Sequence, residues 1–346
     1  MIAVTPQSNQ LRREKTGAID LPHWQQVLAQ AITDPRELLE VLHIPDTWLT
    51  DARTAAKHFP LRVPRGFVAR MQRGDPRDPL LMQVLPLGLE LEQTPEFTAD
   101  PVGDMDSRIG AGILHKYEGR VLLIATGACG IHCRYCFRRH FNYGEETAST
   151  QQWQSAVDAI QRDTSIHEVI LSGGDPLTLS DRRLQTLTDA LQRIPHVKRL
   201  RIHSRQPVVL PERIDAGLLR WLGSVHLQKV MVLHVNHAHE IDASVIDACH
   251  ALDAAGVTLL NQTVLLKGVN DSVAALSALS ETLFSAGVLP YYLHLLDRVQ
   301  GSAHFEVNEA AAVALMRELL TTLPGYLVPR LVRETSGDAS KTPVPL

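Results

Sequence analysis

From residue 120 onward, short apolar runs alternate with longer amphipathic stretches. The apolar runs predict strands at residues 120–126, 168–173, 199–204, 229–235, 257–266 and 289–296. Between them, residues 186–194, 243–256 and 274–287 repeat apolar positions at helical spacing. Apolar strands that alternate with helices predict an α/β fold with a parallel sheet and right-handed crossovers. Six such units fit a partial (β/α)6 TIM-like barrel, although the pattern alone leaves a doubly wound sheet open.

Before residue 120 the pattern differs. Residues 20–60 predict helices, and Asp34-Pro35 is a plausible helix start. Residues 74–108 are rich in proline and acidic residues, which predicts a turn-rich connector whose carboxylates are solvated.

These changes of pattern divide the chain into three parts. We expect an N-terminal helical region with its acidic connector over 1–108, a partial barrel over 109–300, and a C-terminal segment over 301–346.

Composition narrows the class of protein. The chain has 346 residues, is 45% hydrophobic and carries a formal charge of −4, so it can bury a sizeable core but has no broad basic face for nucleic acid. The N-terminus lacks the apolar core and cleavage site of a signal peptide. No apolar run approaches the roughly 20 residues of a membrane helix. We therefore expect a cytoplasmic protein without nucleic-acid or membrane partners.

Three of the four cysteines lie in "ACGIHCRYCFRRHF" (128–141), directly after the first predicted barrel strand. Cys129, Cys133 and Cys136 have the spacing C-x3-C-x2-C, which favours an iron–sulfur cluster with one iron left open. A zinc site remains an alternative, with His132 or His140 as a fourth ligand. The fourth cysteine, Cys249, is expected to be an inert core thiol because it lies in a predicted helix.

C-x3-C-x2-C after the first strand of a β/α repeat resembles the radical S-adenosylmethionine (SAM) signature. The resemblance implies a [4Fe–4S] cluster whose open iron binds SAM. The segment "SGGDP", with Ser172, Gly173, Gly174 and Asp175, resembles the glycine-rich stretch that holds the methionyl amine of SAM. The fold class is then a radical SAM partial barrel.

Further motifs follow in the order seen in lysine 2,3-aminomutases. They are "HKYEGRVLL", "LSGGDPL", "RIHSRQPVVLPERI", "HVNHAHEI", "LLNQTVLLKGVND", "PYYLHLLDRVQGSAHF" and "SKTPV". The similarity runs from about residue 60 to the end and is greatest to the short bacterial members that make (R)-β-lysine for elongation factor P. Enzymes of this family use both SAM and pyridoxal 5′-phosphate (PLP).

The resemblance implies specific roles for the PLP pocket. Lys341 would form the Schiff base with PLP, which requires an ordered C-terminus where the Pro- and Ser-rich composition predicts fraying. Lys116, Tyr117 and Arg120 match the segment that contacts the PLP phosphate. His234 and Gln262 are assigned to the same cofactor-binding set.

The resemblance also assigns the substrate-binding residues. Arg138 matches the arginine that binds the carboxylate of lysine, and Asp297 a carboxylate that receives its ε-ammonium. Glu334 stands where the family has an aspartate, so its side chain is one carbon longer. Other histidines near strand ends, such as His203 and His294, are equally compatible with satisfied packing or outer residues and with ligands.

The implied reaction moves the α-amino group of L-lysine to Cβ with no net redox change. Implied partners are elongation factor P, its lysyl ligase, and a reductant such as flavodoxin or ferredoxin. Ser272 stands where the clostridial-type enzymes have a zinc-ligating cysteine, which disfavours a zinc-supported tetramer. The alternatives are a free-lysine aminomutase of small-molecule metabolism and, less favoured, an iron–sulfur redox sensor or binding module.

Overall fold

The computed structural model describes residues 21–110, 112–142 and 150–346, so the predictions for residues 1–20 lie outside the described residues. In this part of the chain one sheet holds ten strands, each hydrogen-bonded to its neighbours in chain order. The strands are β1 (Arg108–Gly110), β2 (Ile113–Tyr117), β3 (Arg120–Thr126), β4 (Glu168–Gly173), β5 (Arg199–Ser204), β6 (Gln228–Leu233), β7 (Val257–Val264), β8 (Leu289–His294), β9 (Arg330–Arg333) and β10 (Thr342–Pro343).

The six predicted strands are β3 to β8, and all their pairings are parallel, as expected. β9 continues the parallel series, while β1, β2 and β10 add antiparallel pairings at the two edges. A doubly wound sheet would reverse its strand order, and this sheet does not. The partial TIM-like barrel is therefore confirmed.

Helices fill the connections between the strands. Those after β3 are α6 (Thr150–Arg162), α7 (Asp181–Gln192), α8 (Gln206–Val209), α9 (Ala216–Ser224), α10 (Ala243–Ala254), α11 (Val273–Ser285) and α12 (Glu309–Thr322). They cover the outer face of the sheet, where residues such as Leu171, Leu184 and Trp221 form the main core. Cys249 is buried in this core, as predicted, and burial raises the pKa of its thiol to about 12.

The N-terminal helices are α1 (His23–Ala29), α2 (Pro35–Leu42), α3 (Leu49–His58), α4 (Arg65–Val68) and α5 (Pro79–Met82). The Asp34 carboxylate accepts a hydrogen bond from the Arg36 N–H at 3.0 Å, and this cap starts α2 at the predicted residue. These helices share a hydrophobic core that also includes Ile131 and Val209. The N-terminal region therefore packs directly against the cysteine segment.

The C-terminal segment is docked, as the role implied for Lys341 requires. β10 pairs antiparallel with β9, and the Val344 N–H donates to the Leu331 carbonyl at 3.0 Å. Val344 itself is buried in a core with Leu331 and Met316. The strand pairing outweighs the fraying that the composition predicts, so Lys341 has a fixed position beside the sheet.

Within the described ranges, no helix combines the length and the apolar character that crossing a bilayer requires.

Candidate active site

The cysteine segment follows β3 and is held by the N-terminal region. The His132 N–H donates to the Arg62 carbonyl and the Arg134 N–H to the Gln83 carbonyl, each at 2.9 Å. The Arg134 guanidinium forms a two-pronged pair with Glu90, at 2.8 and 2.5 Å. Arg139 donates to the same Glu90 carboxylate at 2.7 Å. One buried carboxylate therefore anchors two arginines that flank the last cysteine.

Glu90 shows that the prediction of a solvated connector is wrong for its important carboxylates. Asp78, Glu90 and Asp104 are all buried. Asp78 caps α5 through the N–H groups of Leu80 and Leu81. The arginine partners of Glu90 and Asp104 lie on other segments, so no local pattern distinguishes these two residues from the exposed acids around them.

Cys129, Cys133 and Cys136 are free and partly exposed. Burial and the neighbouring thiols raise the pKa of Cys129 well above its usual value and that of Cys136 to about 11. The three sulfurs are therefore close enough to interact, and thiolate ligands are the donors that an iron–sulfur cluster takes. Among the described residues no three His, Cys, Asp or Glu side chains converge on one metal ion. A four-iron cluster binds each cysteine at a different iron.

Each of the two histidines considered as zinc ligands has one ring nitrogen close to a backbone carbonyl. His132 Nδ1 lies 2.8 Å from the Pro60 carbonyl oxygen, and His140 Nε2 lies 3.0 Å from that of Gln300.

The glycine turn after β4 lies directly against the cysteine segment. Gly173 has a φ of 110°, and a Cβ on Gly174 would lie 2.4 Å from the Ala128 carbonyl oxygen. Neither position therefore accepts a side chain. The Gly174 N–H donates to the Thr126 carbonyl at 2.7 Å, and the Asp175 N–H to that of Ala128 at 2.8 Å. The two glycines therefore let the end of β4 pack directly against residues 126–128, which lead into Cys129.

The Asp175 side chain holds the next turn of the barrel. Its carboxylate accepts from Ser204 Oγ at 2.8 Å and from the N–H groups of Arg205 at 2.7 Å and Gln206 at 3.1 Å. Burial raises the pKa of Asp175 despite these donors. Because both oxygens are engaged, Asp175 is suited to positioning the strand ends around a cofactor.

A series of buried and half-buried ion pairs joins the cysteine segment to the C-terminal lysine. Arg138 Nε lies 2.7 Å from Asp104, and Lys116 Nζ lies 2.6 Å from the other oxygen of Asp104. Lys116 also lies 3.0 Å from Glu334, which in turn pairs with Lys341. The Arg138 guanidinium additionally contacts Ser172 Oγ at 3.3 Å. The structure thus brings together most of the residues that the resemblance assigned to substrate and PLP.

These ion pairs fix the charge states of the carboxylates. Burial opposes ionisation of Glu334, but the ammonium groups of Lys341 and Lys116 outweigh it and hold its pKa at about 2. Arg138 and Lys116 likewise lower the pKa of Asp104 against the effect of burial. Burial, with the adjacent Glu334 charge, raises the pKa of Asp297 to about 7. Without a bound cation, Asp297 is therefore the carboxyl of this site that most readily holds a proton.

We expect the stability of the cofactor-free protein to report this proton. Between pH 4 and 7 the folded state binds a proton at Asp297 that the unfolded state has released, so stability falls as pH rises. Asp297→Asn removes this dependence. The free energy of unfolding of the variant minus that of the wild type should therefore be larger at pH 8 than at pH 4, by about a few kcal/mol. Urea unfolding at several pH values measures this, with exposed Asp247→Asn as control. If the difference from the wild type changes with pH no more in Asp297→Asn than in Asp247→Asn, the raised pKa of Asp297 is contradicted.

The remaining predicted cofactor residues lie near Glu334 and Lys341, directly or through a neighbour. Tyr117 interacts with Glu334, burial raises its pKa, and the Arg120 guanidinium lies 4.8 Å from the centre of its ring. Gln262 Nε2 lies 3.4 Å from the ring nitrogens of His234. Burial lowers the pKa of His234 to about 3, and the charges of Arg205 and Lys341 add to this effect. His234 is therefore a neutral ring beside Lys341.

His203 and His294 also belong to this set, and the structure bears on the two roles that the sequence left open for them. His294 is buried and His203 is half-buried, and Nε2 of each is shielded from solvent without a hydrogen-bond partner in the described part of the chain. Burial lowers the pKa of each ring well below its usual value, and the Lys341 charge contributes to both shifts. Unpartnered buried donors or acceptors around a lysine fit the presence of a polar cofactor. The signal in the sequence that could have indicated this role is the position of both histidines at the ends of predicted strands.

Comparison with known proteins gives the class of this site. Residues 123–277 match the Radical SAM superfamily. The chain is 49% identical to the L-lysine 2,3-aminomutase of Escherichia coli (strain K12), over 93% of this chain and 94% of that protein. It is 45% identical to that of Haemophilus influenzae, over 98% of both chains. The enzyme of the same name from Clostridium subterminale is 34% identical over 94% of this chain and 78% of its own length.

These matches define a radical SAM enzyme. More narrowly, the chain belongs to the lysine 2,3-aminomutase family. Membership implies a [4Fe–4S] cluster, SAM and PLP, and the residues present are compatible with all three: three free thiols, a glycine turn packed directly against the cysteine segment, and a docked lysine among neutral histidines.

Proposed function

We propose that this enzyme moves the α-amino group of L-lysine to Cβ, giving β-lysine, at the carboxyl ends of the barrel strands. Its close relatives bear the name of that reaction and align over nearly their whole length. The observation that carries the proposal is the series of ion pairs, buried at Arg138 and Asp104 and half-buried beyond, that continues through Lys116 and Glu334 to Lys341. It supplies charges of both signs for a substrate with one carboxylate and two amino groups.

The two ends of lysine would be held by opposite charges. Arg138 is placed to take the α-carboxylate in exchange for Asp104, because a guanidinium can offer two parallel N–H groups. Asp297 and Glu334 would take the ε-ammonium, and a cation beside Asp297 favours its ionised form. Because both ends of lysine would be fixed, its Cβ would stay at one position relative to the cofactors. Such positioning accelerates a reaction.

The remaining site residues would hold the cofactors. Cys129, Cys133 and Cys136 would bind the cluster, and Ser172, Gly173, Gly174 and Asp175 would form the SAM side. Lys341 would hold PLP, with Lys116, Tyr117 and Arg120 at its phosphate and His234 and Gln262 at its ring. Together these cofactors supply the radical chemistry by which nitrogen migrates from Cα to Cβ.

The test is anaerobic reconstitution of the full chain with iron and sulfide, followed by PLP, SAM, dithionite and L-lysine. We expect β-lysine from the wild type, detected by mass spectrometry, and none from Cys133→Ala. Cys249→Ala is the matched control, since this buried thiol lies in the helical core and should leave turnover intact. Deoxyadenosine without β-lysine from a fully loaded wild type would contradict lysine as the substrate.

For the destination of the product, we propose that (R)-β-lysine is made in the cytoplasm for elongation factor P and its lysyl ligase. Support comes from the resemblance to the short bacterial members and from Ser272. Ser272 accepts a hydrogen bond from the Ala275 N–H at 3.2 Å and caps α11, at the place of the clostridial-type zinc ligand. A flavodoxin or ferredoxin would supply the electron.

Turnover of free lysine with and without elongation factor P and the ligase tests this destination. We expect slow turnover alone and faster turnover when both proteins consume the product. Rapid accumulation of free β-lysine that neither protein changes would favour the alternative, a free-lysine aminomutase of small-molecule metabolism.

A further inference from the structure

A buried arginine donates to one of the three cysteine sulfurs. Arg205 follows β5 at its carboxyl end, and its Nη1 lies 2.7 Å from Cys133 Sγ. The same nitrogen lies 2.8 Å from Tyr135 Oη, which belongs to the cysteine segment. The contact therefore joins a barrel strand end to the middle of the three thiols.

The guanidinium is fixed from its other side. Nη2 donates to Gln83 Oε1 at 2.6 Å and to Glu240 Oε2 at 2.9 Å. The Arg205 side chain is 7% exposed and that of Glu240 is fully buried. The Arg205 main-chain N–H is held by Asp175 at 2.7 Å. With both ends restrained, the nitrogen that faces Cys133 has little freedom to turn away.

Glu240 is itself held in place, which makes the restraint cooperative. Its Oε1 accepts from the Asn236 N–H at 2.9 Å and from Gln83 Nε2 at 3.0 Å. Gln83 also carries, on its main-chain carbonyl, the hydrogen bond that places Arg134. The N-terminal region thus positions the cysteine segment and its cationic neighbour through one residue.

The effect on a cluster follows from electrostatics. A ligating sulfur gains negative charge when the cluster is reduced, so an N–H donor and a positive charge stabilise the reduced form more than the oxidised form. Burial strengthens the interaction because the local dielectric is low. A neighbouring guanidinium should therefore make the cluster easier to reduce.

We propose that Arg205 is a positioning residue for the iron–sulfur cluster, and that its N–H···S contact to Cys133 raises the reduction potential of the cluster. The proposal rests on the cluster that family membership implies and not on lysine as substrate. It adds a redox function to an arginine that also pairs with Glu240 and bonds Gln83 and Tyr135.

The experiment is an anaerobic redox titration of the reconstituted full chain, without SAM or lysine, followed by EPR of the reduced cluster. Arg205→Lys keeps the charge for Glu240 but loses the fork that reaches Cys133 and Glu240 together. We expect at least a tenfold shift toward the oxidised form at a given potential, which is 59 mV for one electron. Arg213→Lys is the matched control, because this buried arginine pairs with Asp181 and the Leu177 carbonyl.

A merely structural role would lower cluster content or thermal stability in Arg205→Lys and leave the midpoint potential of the loaded fraction unchanged. An unchanged midpoint overturns the proposal. If Arg205→Lys takes up no cluster, the measurement is made on the wild-type protein instead. That protein is labelled with 15N only in its arginine guanidinium groups. Pulsed EPR should then detect 15N coupling to the reduced cluster, and the coupling should persist in Arg138→Lys. Absence of that coupling also overturns the proposal.

Discussion

Lys341→Ala is expected to abolish covalent retention of PLP and to lower β-lysine formation on the order of a thousandfold or more. The reason is positional as well as chemical. Lys341 is held beside the sheet by β10 and pairs with Glu334. The other amine on Glu334, that of Lys116, is also bound by Asp104 at 2.6 Å and by the Val102 carbonyl at 2.8 Å, so it is engaged elsewhere. Absorbance of the bound cofactor and mass spectrometry of the product measure the two effects. Lys57→Ala, an exposed lysine at the end of α3, is the control.

The iron–sulfur signal should survive in Lys341→Ala, because the cysteine segment is held by other residues. A variant that retains PLP covalently and turns over lysine would show that Lys341 does not form the cofactor linkage.

Glu90→Gln should destabilise the protein by about 3–5 kcal/mol, the cost of leaving buried charge without its partner. Arg134 and Arg139 both depend on this carboxylate, and the side chains of all three residues are at most 3% exposed. Urea unfolding of the cofactor-free chain measures the change. Glu92→Gln, exposed in the same segment, is the matched control and should lie close to the wild type.

The Glu90→Gln substitution should also reduce the iron bound on reconstitution, since Arg134 and Arg139 flank Cys136. Equal unfolding midpoints for Glu90→Gln and Glu92→Gln would show that the two arginines find compensation elsewhere.

The barrel was predictable because most of its strands are rich in clustered apolar residues, although β5 alternates polar and apolar positions. The burial of β4, in which five of six residues are buried, is the clearest case. β1 and β10 escaped prediction for the opposite reason: they have three and two residues, all exposed. Such short edge strands form only because a longer strand is already there to pair with.

The site was predictable where a motif marks it and not where distant segments meet. Cys129, Gly174 and Lys341 carry recognisable motifs, and the structure places them at one end of the sheet. Glu90 and Asp104 carry none, because their arginine partners lie 44 and 34 residues away along the chain. The sequence alone predicts that a carboxylate in a proline-rich segment is solvated, because the arginine that pairs with it is brought close only by the fold.

The strictly sequential strand order has a consequence for how the enzyme matures. Each strand pairs with the one made just before it, so the sheet can grow in the order of synthesis with modest loop-closure cost. The cysteine segment depends instead on contacts such as Gln83 to Glu240, which join residues 157 positions apart. We therefore expect the thiols to reach their final arrangement late in folding, after the barrel has formed. Iron delivered to the nascent chain would then meet cysteines that are not yet arranged to receive a cluster.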